Sequence, residues 1–278
     1  MRLRFATLGF VAALGLFLAT GAHAQEGVLT PAQSAAKAKH LIHEAIEALG
    51  GQAYLDVRDE TCKGSVAFFG FHNELRNYQT VIDYNLYPDK ERTEYSSKRN
   101  IIDVYNGDKG WSLDRGGVSV MSAANIRDFQ NGLQRDINHL FRYRLNDPGL
   151  EFRYGGPDVV DLKQVDWVDV TDPEHLSIRI ALDNFSHLPI RVIYISRNPK
   201  THERNEEIEY FSIYHMVQGV NTPFQDTRTR NGNKVYQFFV RSCSYNTGLK
   251  PDFFTRESLE ERWKQLGGNK KKKKKHFF

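Results

Sequence analysis

The chain lacks the short motifs that announce chemistry. It has no G-x-S-x-G, so no nucleophile elbow, and no G-x-G-x-x-G or phosphate loop, so no signature for a nucleotide. His43-Glu44-x-x-Glu47 departs from H-E-x-x-H at its second ligand, and the other histidines, such as His139 and His187, show no short ligand spacing. Carboxylate pairs such as Asp166 with Asp169 and Glu206 with Glu207 flank strand-like runs and read as ordinary exposed positions. There are two cysteines in 278 residues, Cys62 and Cys243, and neither has a local catalytic signature. Past residue 19 no run approaches the ~20 apolar residues of a spanning helix. Catalysis, metal binding and a cofactor therefore have no support in the motifs.

The chain also lacks a basic body. Its net charge is +4. Arg2, Arg4 and the six consecutive residues Lys270, Lys271, Lys272, Lys273, Lys274 and Lys275 supply eight of the positive charges, which leaves a net −4 for the rest. A folded nucleic-acid surface would cluster its cations on one element, so no nucleic-acid partner is expected.

The ends are where the charge lies. Arg2 and Arg4 precede an apolar run over residues 5–19, and Ala22-His23-Ala24 forms an A-x-A cleavage pattern. This is the layout of a secretory signal over residues 1–24, with cleavage near Ala24 and a mature chain of 254 residues. The expected location is the periplasm, as a soluble exported protein. Residues 267–278 cannot pack and are expected to be disordered. The six lysines either tether the chain to anionic lipid or form a solvated tail without a partner. Export places Cys62 and Cys243 in an oxidising compartment, where they form either one disulfide or two separate thiols.

Periodicity supplies the fold class. Residues 33–49 read as an amphipathic helix with Ala38, Leu41, Ile42, Ala45 and Leu49 on one face, stopped by Gly50-Gly51. Tyr78, Thr80, Ile82, Tyr84 and Leu86 alternate with Asn77, Gln79, Val81, Asp83 and Asn85, the period-two mark of a strand with one buried face. A second helix is expected over 122–145, N-capped by Ser122, with Ile126, Phe129, Leu133, Ile137, Leu140 and Phe141 in one stripe. Six more strands are expected at 165–171, 176–182, 190–196, 207–214, 224–230 and 234–245, with turns that include Asn198-Pro199 and Asn231-Gly232-Asn233, and a last short helix at 258–266. Short strands at close spacing favour antiparallel pairing, and no repeat or linker divides residues 25–266. Arg179 and Arg191 alternate with apolar residues on two of these strands. They are either a polar clamp or, by the alternation, cations on the convex side.

In their order, four segments resemble the LolA/LolB-like family of lipoprotein carrier and outer-membrane lipoprotein-sorting proteins. They are residues 40–51 with their Ala-Ile-Glu-Ala-Leu-Gly-Gly end, Pro88-Asp89-Lys90-Glu91-Arg92-Thr93-Glu94, Tyr105-Asn106-Gly107-Asp108-Lys109-Gly110-Trp111, and residues 176–183 with His187-Leu188-Pro189-Ile190-Arg191. The resemblance implies a mainly β (α+β) fold over residues 25–266. A single curved antiparallel sheet forms a half-open barrel, with two or three helices covering its concave face. It further implies that the hollow holds an apolar ligand, a lipid or acyl chain, with no cofactor and no chemistry. On this reading Phe68, Tyr78, Ile82, Tyr84, Leu86 and Trp111 line the sheet side, and Ile126, Phe129, Leu133, Ile137 and Phe141 line the lid side. The rival readings are an exported envelope hydrolase and a non-binding envelope scaffold.

Overall fold

The computed structural model describes residues 29–197 and 201–268. The expected signal sequence over residues 1–24, the six lysines at 270–275 and the Asn198-Pro199 turn lie outside the described residues.

The first helix, α1 (Pro31–Leu49), opens on a capping box. The Thr30 hydroxyl accepts from the Gln33 amide at 3.3 Å, and Gln33 Oε1 accepts from the Thr30 amide at 2.9 Å. It buries Ala38, Leu41, Ile42, Ala45, Ile46 and Leu49. It stops at Gly50, whose φ of 131° and contact with Gly219 leave no room for a side chain, since a Cβ there would lie 2.3 Å from the Gly219 carbonyl oxygen. A short helix α2 (Gln52–Leu55) follows.

Six strands come next: β1 (Asp59–Phe69), β2 (Leu75–Leu86), β3 (Lys90–Tyr95), β4 (Ile101–Asn106), β5 (Lys109–Asp114) and β6 (Gly117–Val120). Then come α3 (Ala123–Arg135) and α4 (Ile137–His139), the latter continued by a π turn over Leu140–Arg144. The second series is β7 (Glu151–Val160), β8 (Lys163–Thr171), β9 (Ser177–Asp183), β10 (Pro189–Arg197), β11 (Arg204–Val217), β12 (Val220–Arg230) and β13 (Asn233–Tyr245). A 3₁₀ turn at Pro251–Phe254 and the helix α5 (Arg256–Gln265) end the described chain. Tight turns fall where the local chemistry asks for them. Asn231 and Gly232, with φ of 49° and 78°, form the two-residue loop between β12 and β13.

All thirteen strands form one antiparallel sheet in the order β6-β5-β4-β3-β2-β1-β13-β12-β11-β10-β9-β8-β7. Every pairing but one joins strands consecutive in sequence. The exception is β1 with β13, where Cys62 and Cys243 are register partners and are joined by a disulfide. β6 and β7 are the two edges, so the connection through α3 and α4 must run from one edge of the sheet to the other. The sheet is open and curved, and α1, α2, α3 and α4 lie on its inner face.

The inner face carries the main core. Val168, Val170, Ile178, Ile180, Leu182 and Val192 pack with the apolar face of α1 and with Leu140 and Phe141, each full burial contributing roughly 1.5–3 kcal/mol. The outer face is covered on the β3–β6 side by α5 and the 3₁₀ turn, where Phe254 and Leu259 pack on Ile102, Val104 and Leu113. There Arg92 pairs with Glu94 at 2.8 Å, and its Nη1 donates to the Phe253 carbonyl and to Ser258 Oγ, both at 3.1 Å.

Two expectations require correction. The helix expected over 122–145 is broken at Asp136, which takes an extended ψ of 125° and starts a new turn by accepting from the His139 amide at 2.7 Å. Its apolar stripe is split accordingly. No residue of α3 is fully buried, whereas Ile137, Leu140 and Phe141 are in the core. The edge strand β7 escaped the pattern reading because its Gly155-Gly156-Pro157 interrupts the alternation.

The disulfide spans 181 residues in sequence. By loop-closure entropy it contributes about 5 kcal/mol at most. A Cys62→Ala, Cys243→Ala protein should lose a large part of that in urea unfolding, and peptide mapping without reductant should recover the two cysteines in one linked fragment.

Candidate functional site

Between the inner face of β1–β4 and β11–β13 and the underside of α3 lies a hollow of about 540 Å³. A second cavity of about 190 Å³ adjoins it toward α2 and α4, and the two share Asp83, Asn85, Asp136, Glu209, Asp226 and Phe238. The lid is α3. Its Phe129 ring stacks on Tyr105 of β4 at 4.5 Å and 11°, and Leu133 faces the same space.

The sheet side of the hollow is mixed, with Val66, Phe68, Val81 and Phe238 beside a polar row. Register aligns Asp83, Thr93, Asp103 and Ser112 in a row across β2–β5. Thr93 Oγ1 lies 2.9 Å from Asp83 and 3.2 Å from Glu91. Asn85 donates to Asp83 at 3.0 Å, and Ser112 donates to Asp103 at 2.7 Å. On the far wall the Tyr236 hydroxyl lies 3.1 Å from both Glu209 and Asp226, and Arg228 donates to Glu209 at 3.2 Å. At the floor, Tyr87 donates to Glu60 at 2.8 Å, and Arg142 lies over the Tyr54 ring.

This wall gathers half-buried carboxyl groups around one space. Desolvation holds Glu91 up at about 8, helped by the charge of Asp83 and opposed by the Thr93 hydroxyl. Desolvation also raises Asp83, Asp103 and Asp136. Asp226 is raised well above the usual range by desolvation and then by neighbouring Glu209. Arg228 is held charged chiefly by Glu209. The Oδ1 atom of Asp226 is buried and has no hydrogen-bond partner.

The expected lining residues divide three ways. Phe68, Phe129 and Leu133 line the larger hollow, and Ile137 lines the smaller one. Phe141 is buried in the α1 core, and Ile126 is half-buried on α3 without lining either space. Tyr78, Ile82, Tyr84, Leu86 and Trp111 are on the opposite face. Tyr84 meets Phe253 edge-on at 5.0 Å, Leu86 and Trp111 pack beside Phe254 and Leu259, and Tyr78 is exposed. The alternation holds along β2, but its apolar parity faces away from the hollow, because α5 supplies a second apolar layer outside the sheet. The residues missed are those of the opposite parity, Asp83, Asn85, Glu91, Thr93, Tyr95 and Tyr105. Their signal was a run of polar residues at one parity in three consecutive strands.

Arg179 and Arg191 are on the outer face, with Asp169 at 3.5 Å and Asp161 at 2.9 Å respectively. Among the described residues, the one His, Cys, Asp and Glu group with converging ligand atoms is Glu60 with Cys62 and Cys243, whose sulfurs are committed to each other. No helix among the described residues is long and apolar enough to cross a membrane.

An open antiparallel sheet with helices over its concave face is the LolA/LolB-like fold, and solved structures of that fold superpose on it. A DUF1329 family protein from Desulfovibrio piger aligns with a TM-score of 0.58 at 13% identity, covering 80% of this chain and 98% of its own. A domain assigned to outer membrane lipoprotein sorting from Vibrio parahaemolyticus aligns at 0.55 and 11%, covering 81% and 99%. A LolA superfamily protein from Nitrosomonas europaea aligns at 0.52 and 10%, covering 80% and 99%. No family model and no curated protein matches the chain by sequence.

The raised carboxyls give the fold a pH dependence. A folded chain that holds a proton on Glu91 up to about 8, against 4.5 for a free side chain, binds more protons than the unfolded chain between those values. Stability must therefore fall as pH rises through that window. Glu91→Gln should make the fall shallower, with melting temperature gained at pH 8 and little changed near pH 4, as read by thermal denaturation.

Proposed function

We propose that this chain is an exported binding or carrier protein of the cell envelope that holds a small amphipathic ligand between the sheet and α3, without chemistry. The observation that carries this reading is the lid. α3 spans the route between the sheet edges, yet it buries no side chain fully and covers a hollow of about 540 Å³. A helix serving only as core cover would bury its stripe, as α1 does. The volume lies in the range of small-ligand sites. Export rests on the leader at residues 1–24, and the carrier role on the shared fold together with the named roles of lipoprotein-sorting and LolA superfamily proteins. The mixed lining favours a ligand with both an apolar body and a polar head over a plain acyl chain.

The test is uptake of an environment-sensitive apolar probe, together with mass spectrometry of organic extracts from detergent-free protein. Binding should be saturable, and it should drop by about tenfold or more in a Phe129→Asp, Leu133→Asp protein that keeps its melting transition, because two charges would enter the apolar side of the hollow. No uptake and a clean extract would overturn the reading in favour of a scaffold or an enzyme.

A further inference from the structure

We propose that the hollow selects ligands carrying a fixed positive charge on an apolar body, an organic ammonium rather than a neutral or anionic lipid. The proposal rests on the binding reading of the same hollow and deepens it. Carboxyl groups face this space from most elements around it: Asp83 from β2, Glu91 from β3, Glu209 from β11, Asp226 from β12, Asp128 from α3 and Asp136 between α3 and α4. Among the described residues the one cation lining it is Arg228, already held by Glu209 at 3.2 Å. A negative ligand head would add repulsion to these groups, whereas a positive head would relieve it.

Three further observations narrow the ligand. The buried Oδ1 of Asp226, in a residue that lines both cavities, has no hydrogen-bond partner in the protein, which leaves it open to the charge of a positive ligand head. No three of these carboxylates bring oxygens within 4.8 Å of one another, since Glu60 with the two cysteines is the one such group among the described residues. That spacing is wrong for a bare metal ion, which draws its ligands to about 2–2.6 Å, and it suits a bulkier organic cation. Aromatic rings stand beside the carboxyls, Tyr95, Tyr105, Phe129 and Tyr236, although Tyr105 and Phe129 stack on each other and Arg228 lies over Tyr236, and aromatic rings attract quaternary ammonium groups.

Proton linkage follows. Around Glu91 stand Asp83 on β2, Asp103 on β4, Arg228 on β12, Asp128 on α3 and the hydroxyls of Thr93, Tyr95 and Tyr105. Net negative surroundings and desolvation keep its proton on when the hollow is empty. A cation entering there displaces that proton, so binding releases protons and strengthens as pH rises toward about 8.

The test is calorimetric titration of the full chain with decyltrimethylammonium, decanol and decanoate, below their micellar concentrations. The three share a chain length and differ in head charge, and the first does not titrate. The cation should bind about tenfold or more tightly than decanol at pH 8, with decanoate weakest. Affinity for the cation should rise from pH 6 to 8, with heats that depend on the buffer as protons leave, while decanol stays flat. In a Glu91→Gln, Asp226→Asn protein the rise of cation affinity with pH should be lost while decanol still binds. Equal affinity for the three heads overturns charge selection and leaves the binding reading standing. Binding of none overturns both. A rise of cation affinity with pH that survives in the double variant overturns the proton linkage assigned to these two carboxyls.

Discussion

The structure turns on the pairing of β1 with β13. Every other strand contact in the sheet is made between neighbours in sequence and closes a short loop. This contact joins residues 181 apart and makes two meanders into one sheet. The entropic cost of such a closure is the largest in the fold, and the Cys62–Cys243 bond sits on that seam. Without the seam, β1–β6 and β7–β13 would be separate sheets tied by one crossover, and there would be no shared inner face for carboxyls from β2, β3, β11 and β12 to line.

The same topology creates the lid. Because the seam puts β6 and β7 at opposite edges, the chain between them must cross the sheet, and the inner side is where it crosses. Asp136 divides that crossing into an anchored part and a loose part. After it, Ile137, Leu140 and Phe141 are locked in the α1 core. Before it, α3 rests on the hollow through few contacts, among them the Phe129–Tyr105 stack. Elements with few buried contacts are the ones that open locally at low cost. A binding protein needs such an element over its site.

The hollow itself departs from the apolar cavity that the family resemblance implies. Its sheet wall carries Asp83, Glu91, Glu209 and Asp226, and Tyr84 and Leu86 of β2 face outward toward the 3₁₀ turn and α5. A wall of this kind is stable while its carboxyls keep protons or share donors such as Thr93, Asn85 and Tyr236. That links proton binding and fold stability in one place.

Local order was written in the sequence. The capping box at Thr30-Pro31-Ala32-Gln33, the Asn231-Gly232 turn and the alternation from Asn77 to Leu86 each follow from interactions within a few residues. The antiparallel class followed from their spacing. The tertiary structure alone decided which parity of β2–β5 faces the hollow, because a strand with two covered faces has no intrinsic inside. It decided that α5 lies outside and α3 inside, because both carry apolar stripes and the topology allots the faces. It decided that Cys62 meets Cys243, because register across a seam of 181 residues is set by the whole sheet and by no local signal.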